Sequence, residues 1–203
     1  MFVSGLFFGF VLAAIVGPMW VLCFRRTLEQ GAATGIASGL GIAAADGVYG
    51  AIAAFGLTAI SGFLLAHSFW IGLAGVAFLA WLGLKALAAP PPDLAGEPNG
   101  IAARSLTGAF MSTLSLTLAN PPTILAFTAI FAGSGLAAGA DYRAAALIVA
   151  GVLLGSAAWW LILVGAASAL RTRISARLLR GINVVSGIVI LAFAGWQLSL
   201  LLR

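Results

Sequence analysis

The sequence predicts an all-α integral membrane protein of six transmembrane helices, arranged as two inverted three-helix repeats with helices 1 and 4 broken. Three observations predict it. Hydrophobic residues make up 63% of the chain and charged residues only 7%, where a soluble domain carries about 25% charged residues. A mean hydropathy of +1.16 leaves too little polar surface to face water, so the solvent is lipid. Finally, the prolines and the basic residues are placed so as to divide the chain into two comparable halves.

A hydrocarbon core about 30 Å thick needs roughly 20 apolar residues per helix. Six stretches meet that length: Phe2 to Phe24, Ala32 to Leu57, Ser68 to Leu87, Leu106 to Phe131, Ala144 to Leu170 and Ile182 to Leu202. The first is expected to be a retained span and not a cleaved signal, because no Lys or Arg precedes its apolar run and the basic pair Arg25 and Arg26 follows it. The first, third and fifth connections hold Arg25, Arg26, Lys85, Arg104, Arg171, Arg173, Arg177 and Arg180, eight of the ten basic residues. Cytoplasmic loops collect Lys and Arg, so both termini are expected outside and these loops inside. The net charge of +5 is thus a topology signal; short basic connections give no nucleic-acid surface.

The connection from Ala88 to Ser105 contains Pro90, Pro91, Pro92, Asp93, Glu97, Pro98 and Asn99, and reads as a polar cytoplasmic linker. It separates a first three-helix repeat (1–87) from a second (106–203). Three spans is an odd number, so similar halves lie in the membrane with opposite orientations, as in many secondary transporters. Each half opens on a proline-interrupted span, with Gly17 and Pro18 in the first and Asn120, Pro121 and Pro122 in the second. Each interrupted span precedes one with glycines four apart: Gly31, Gly35 and Gly39, then Gly151 and Gly155.

The chemistry-bearing residues are few. Asp46 is the one carboxylate deep inside a long apolar segment, where an Asp costs on the order of 3 kcal/mol on insertion scales, and intramembrane acids mark ion or substrate paths. At about 100° per residue, Gly35, Gly39, Ala43, Asp46 and Gly50 share one side of their helix. Small residues admit a neighbouring backbone, so that side should face protein, with Tyr49 near enough to share a hydrogen bond with Asp46. Proline lacks an N–H and clashes with the carbonyl four residues earlier, so Pro18 and the Pro121–Pro122 pair should break their helices and expose helix ends. Such ends bind charged substrate groups in transporters, or serve only as kinks. Asn120, beside the second break, could hold a zwitterionic ligand or tie two helices together. Trp159 and Trp160 are expected to pack. The lone Cys23 cannot form an internal disulfide; with His67 the only histidine, a soft-metal site has few ligands, and no metal or cofactor is expected. No Walker motif for ATP and no catalytic Ser–His pair at matching depth are present, so the chain is not read as an enzyme.

These residues resemble the lysine exporter (LysE/RhtB) family of small six-span bacterial inner-membrane translocators, over nearly the whole length. The resemblance rests on Gly9 through Pro18, Arg26-Thr-Leu-Glu-Gln-Gly31, Gly35 to Gly50 with its Ala-Asp-Gly, and Leu118-Ala-Asn-Pro-Pro-Thr-Ile-Leu125 continuing to Phe131-Ala-Gly133. Members often carry Pro-Gly-Pro in the first span, where Val16 stands in place of the first proline here. The resemblance implies proton-motive-force-driven export of amino acids or related metabolites across the inner membrane, with Pro18, Asp46, Asn120 and Pro121 at motif positions; Gly17, beside Pro18, and Tyr49 are further candidates for substrate or proton binding. The partners would be a small-molecule substrate, protons and the lipid bilayer, with no nucleic acid and with a homo-oligomer left open. The alternative reading is a transporter or channel for inorganic ions, since Asp46 and helix-end carbonyls also suit a cation.

Overall fold

The computed structural model describes residues 1–15, 17–55, 66–88, 105–120, 123, 127, 142–171 and 175–202. Among them are seven helices: α1 (Phe2–Ala14), α2 (Pro18–Gln30), α3 (Ala32–Ala54), α4 (Ser68–Leu87), α5 (Leu106–Leu118), α6 (Tyr142–Arg171) and α7 (Ala176–Leu201). Val16, Pro121, Pro122 and nearly all of the 88–105 linker lie outside the described residues.

The first expected span is two helices bent by 77°. Ala14, four residues before Pro18, is where α1 stops, because the pyrrolidine ring excludes a helical carbonyl there. The residue before a proline is driven out of the helical region, and Gly17 is extended at φ −152°, ψ −172°. Pro18 then occupies the first turn of α2, where its missing N–H is no loss. At the other end of α2, Gly31 adopts φ 92° and donates its N–H to Thr27 O at 3.1 Å. A side chain there would be strained, so glycine permits the immediate start of α3.

By length and composition α3, α4, α6 and α7 can each cross a membrane, and the bent α1–α2 pair, counted as one broken span, brings the number to five. Six spans are therefore not all seen. Within the expected fourth span, Leu106 to Phe131, the described residues give one continuous helix, Leu106–Leu118, 13 residues and too short to cross by itself, with Thr123 and Phe127 also helical. The sixth helix begins at Ala176 and not at Ile182: Ser175 caps it by accepting from Leu178 N at 3.3 Å, so Arg177 and Arg180 are helical. Hydrophobicity marks the lipid-immersed length, whereas backbone hydrogen bonding carries a helix on into the polar zone.

Helix α6 packs on α1 and α3, α3 packs also on α5 and α2, and α4 packs on α7. Glycines set the closest approaches. Gly5 and Gly9 of α1 lie against the backbone of Ile148 and Val152, while Gly151 and Gly155 of α6 lie against that of Phe2, Leu6 and Phe10. Gly83 and Gly187 likewise bring α4 and α7 into mutual backbone contact. The distribution of polarity is inverted relative to a soluble protein: Ser38, Asp46, Thr113, Ser156, Asn183, Ser186 and Gln197 are buried, while Trp70, Leu154, Ile162, Val185 and Ile188 are exposed. Large exposed apolar side chains on every long helix suit hydrocarbon and not water.

Candidate functional site

The α1–α2 break does more than bend the chain. It opens a cavity of about 270 Å³ whose wall includes Gly17, Pro18, Asp46, Thr117, Asn120 and Trp160. Four of the residues singled out in the sequence, Gly17, Pro18, Asp46 and Asn120, therefore meet at one place. They come from positions far apart in the chain, on the α1–α2 break, α3 and the end of α5.

Asp46 points where its glycine stripe predicts. Gly35 lies against Thr27 and Val164, Gly39 against Trp160 and Gly50 against Val152, so this face of α3 is turned toward α6 and α2. Asp46 is 5% exposed, and its Oδ2 accepts a hydrogen bond from Ser156 Oγ of α6 at 2.7 Å. A carboxylate has about four lone-pair sites, and this bond uses one of them, which leaves acceptor capacity at the cavity.

The polarity of the opposite wall is positive. No side chain caps α2, and its first bond inside the helix is Val21 N to Gly17 O at 3.2 Å. The amides of Met19 and Trp20 precede that bond and have no acceptor within the helix, so the dipole of α2 presents its positive end here. The wall formed by α5 is its C-terminal end, where backbone carbonyls accumulate. One such carbonyl, Leu118 O, accepts from Tyr49 Oη at 2.6 Å. Tyr49 has a single hydroxyl proton, so this bond replaces the expected donation to Asp46, which takes its bond from Ser156 instead. Tyr49 does not line the cavity; it braces α3 against the end of α5, with its ring 5.8 Å from that of Phe127.

Asn120 is held on both sides. Its Nδ2 donates to Thr123 Oγ1 at 2.9 Å and its Oδ1 accepts from Gln197 Nε2 of α7 at 3.1 Å. The amide ties the end of α5 to α7, and this residue also borders the cavity. Pro121, the remaining candidate, lies outside the described residues.

Two buried polar atoms of the wall, Thr117 Oγ1 and Trp160 Nε1, have no hydrogen-bond partner among the described residues. Buried polar groups are normally satisfied, and the exceptions concentrate where a ligand or water binds. Sequence reasoning gave Trp160 a packing role and missed Ser156. The signal for both is their spacing: Val152, Ser156 and Trp160 are four apart and share one face of α6.

On the basic side of this cavity, Arg26 of α2 bridges to α3 and α5. Its Nη1 donates to Ser38 Oγ at 3.0 Å and to Ala109 O at 3.2 Å, and its Nη2 to Ser112 Oγ at 2.9 Å. Thr113 Oγ1 adds a bond to Ser38 O at 2.8 Å. Hydrogen bonds to a charged group each contribute about 1.5–3 kcal/mol, so this is a strong link between the two halves of the chain.

No curated protein and no solved structure gives a significant match. The LysE type translocator profile matches residues 10–200, which takes in the α1–α2 break, Asp46 and the cavity wall. With that match over nearly all of its length, this multi-pass membrane protein belongs to the LysE type translocator family.

Proposed function

We propose that the chain is a secondary transporter that exports amino acids or related small metabolites, driven by the proton motive force. Membership in a translocator family makes it a membrane transporter of amino acids or similar compounds. The observation that carries the finer reading is the pairing of opposite polarities in one small cavity. Asp46 stands on one wall and the uncapped N-terminus of α2 on another. A zwitterion needs both: its ammonium on the carboxylate, its carboxylate on the helix amides. Ligand pockets for drug-sized molecules run to about 300–1,000 Å³, and a cavity of about 270 Å³ suits a small metabolite.

In this reading Asp46 takes either the ammonium or the exchanged proton, while Thr117 and Trp160 supply hydrogen bonds and Asn120 holds the α5 break in place. Alternating access follows from two inverted repeats, residues 1–87 and 106–203, within a six-span fold. The packing pattern supports such a repeat: each half's first span packs on the other's second, and the two last spans, α4 and α7, pack on each other. Opening toward the basic side requires release of the Arg26 bridge. Vesicles loaded with an unlabelled amino acid should then take up the labelled one by counterflow. Absence of counterflow across amino acids of every side-chain class would overturn the assignment.

The eight-to-two split of basic residues further supports an inner-membrane orientation with both termini outside and the linker inside. Cys23 is fully buried, so the native chain offers little background to a thiol reagent. A cysteine introduced at Asn99 should resist a membrane-impermeant maleimide in intact cells, and one introduced at Arg203 should react. The reverse labelling would invert the topology.

A further inference from the structure

A second cavity, of about 290 Å³, lies between α2, α4 and α5. Leu22, Arg25 and Arg26 line it, one to two turns along α2 from Gly17 and Pro18. From α5 it takes Ser105 to Ser112, whereas the Asp46 cavity takes Thr117 and Asn120. The two cavities thus follow one another along the same helices, with the Arg26 bridge beside the second.

This second cavity carries a positive excess: Arg25, Arg26 and Lys85 line it, and Glu29 is paired with Arg25. Arg25 is only 6% exposed; its Nε bonds Glu29 Oε2 at 3.1 Å, and its buried Nη1 has no hydrogen-bond partner among the described residues. Across the cavity, Lys85 of α4 is exposed and holds its ammonium 4.7 Å from the centre of the Trp81 ring. The start of α5 adds its dipole, with Ser105 Oγ accepting from Gly108 N at 3.3 Å. Gln30 and Ser112 add polar groups, and the apolar part of the wall is Leu22, Leu82, and the stacked rings of Phe78 and Trp81, 5.5 Å apart.

We propose that this cavity is a second, anion-selective binding site, which takes one carboxylate or phosphate group carried on an apolar body. A buried guanidinium nitrogen without an acceptor is a donor in need of one, and a carboxylate or phosphate oxygen fits the guanidinium fork. Lys85 contributes a second charge at the rim, and the Phe78 and Trp81 rings cover the apolar part. Two sources offer this chemistry, an acid dissolved in the aqueous phase and an anionic lipid headgroup from the bilayer. The site does not use Asp46, so it stands or falls separately from the transport cycle.

The test is thermal unfolding of the purified full chain in a neutral detergent, with N-acetylleucine or short-chain phosphatidylglycerol as probes. N-acetylleucinamide and short-chain phosphatidylcholine are the matched controls without net negative charge. At least one acidic probe should raise the apparent Tm and neither control should. Response to N-acetylleucine assigns a soluble acid, response to phosphatidylglycerol a lipid headgroup, and response to both the shared anion chemistry. Arg25→Gln should weaken binding at least tenfold, and the exposed Lys85→Glu should do the same without disturbing the core. Asp46→Asn should bind the probe as the native chain does. If Arg25→Gln misfolds because Glu29 loses its partner, Arg25→Gln with Glu29→Gln and the Lys85→Glu chain carry the test. No stabilisation by either acid, an unchanged response in Lys85→Glu, or a response lost only in Asp46→Asn would each overturn the proposal.

Discussion

Replacing Asp46 with Asn is expected to abolish uphill export from vesicles energised by a proton gradient, while down-gradient exchange of a labelled amino acid continues. The amide has nearly the shape of the carboxylate, and its oxygen can still accept from Ser156 Oγ, which sits 2.7 Å from Oδ2. What is lost is the one group among the described cavity-lining residues that can take up and release a proton. If one charge crosses per cycle, 100 mV supplies about 2.3 kcal/mol, and at about 1.36 kcal/mol per tenfold this sustains roughly a fiftyfold solute gradient. The steady-state concentration ratio should therefore fall from tens to about one in the variant. Wild-type export that stays uphill after both pH gradient and potential are collapsed would remove the coupling, as would an unimpaired ratio in Asp46→Asn.

Gly155→Val is expected to detach α1 from α6 and to lower the stability of the whole chain. A Cβ at this position meets the Leu6 carbonyl oxygen and lies 2.9 Å from Phe10 N. Both are backbone atoms, which cannot swing aside as a side chain would, so the helices must separate. Overpacking of this kind costs about 1–3 kcal/mol, occasionally more. The harm extends to the site, because Leu12, Ala13 and Ile15 at the end of α1 line the Asp46 cavity. Gly165→Val is the matched control: the same change in helix propensity, ten residues along α6, with nothing within 4 Å of the added Cβ. Thermal unfolding in detergent should show a lower midpoint for Gly155→Val than for Gly165→Val, together with loss of counterflow. Equal midpoints would show that the α1–α6 contact is not tight.

Some of this was legible from the residues alone. A charged fraction of 7% names the solvent as lipid whatever the fold. The break before Pro18 follows from ring sterics that act within four residues, and α1 ends at Ala14 accordingly. The small-residue stripe through Gly35, Gly39 and Gly50 identified the protein-facing side of α3, because helical periodicity is a local property. Asp46 as an inward acid followed from the same stripe. Less legible were the helix ends, since Arg177 and Arg180 read as loop although the backbone ladder continues through them.

Only the tertiary structure decided which partners these groups have. Local spacing suggested Tyr49 as the partner of Asp46, three residues away, but the hydroxyl goes to Leu118 O and the carboxylate takes its bond from Ser156, 110 positions distant. Arg26 counted in the sequence toward topology and as part of a motif, with no partner assigned, whereas in the fold it joins Ser38, Ala109 and Ser112. Hydropathy runs, proline sterics and glycine spacing act along a single helix, and a sequence displays them directly. Hydrogen-bond partners within an apolar bundle depend on which helices are neighbours and at what depth, and that is settled by backbone contacts such as those at Gly9, Gly155, Gly83 and Gly187.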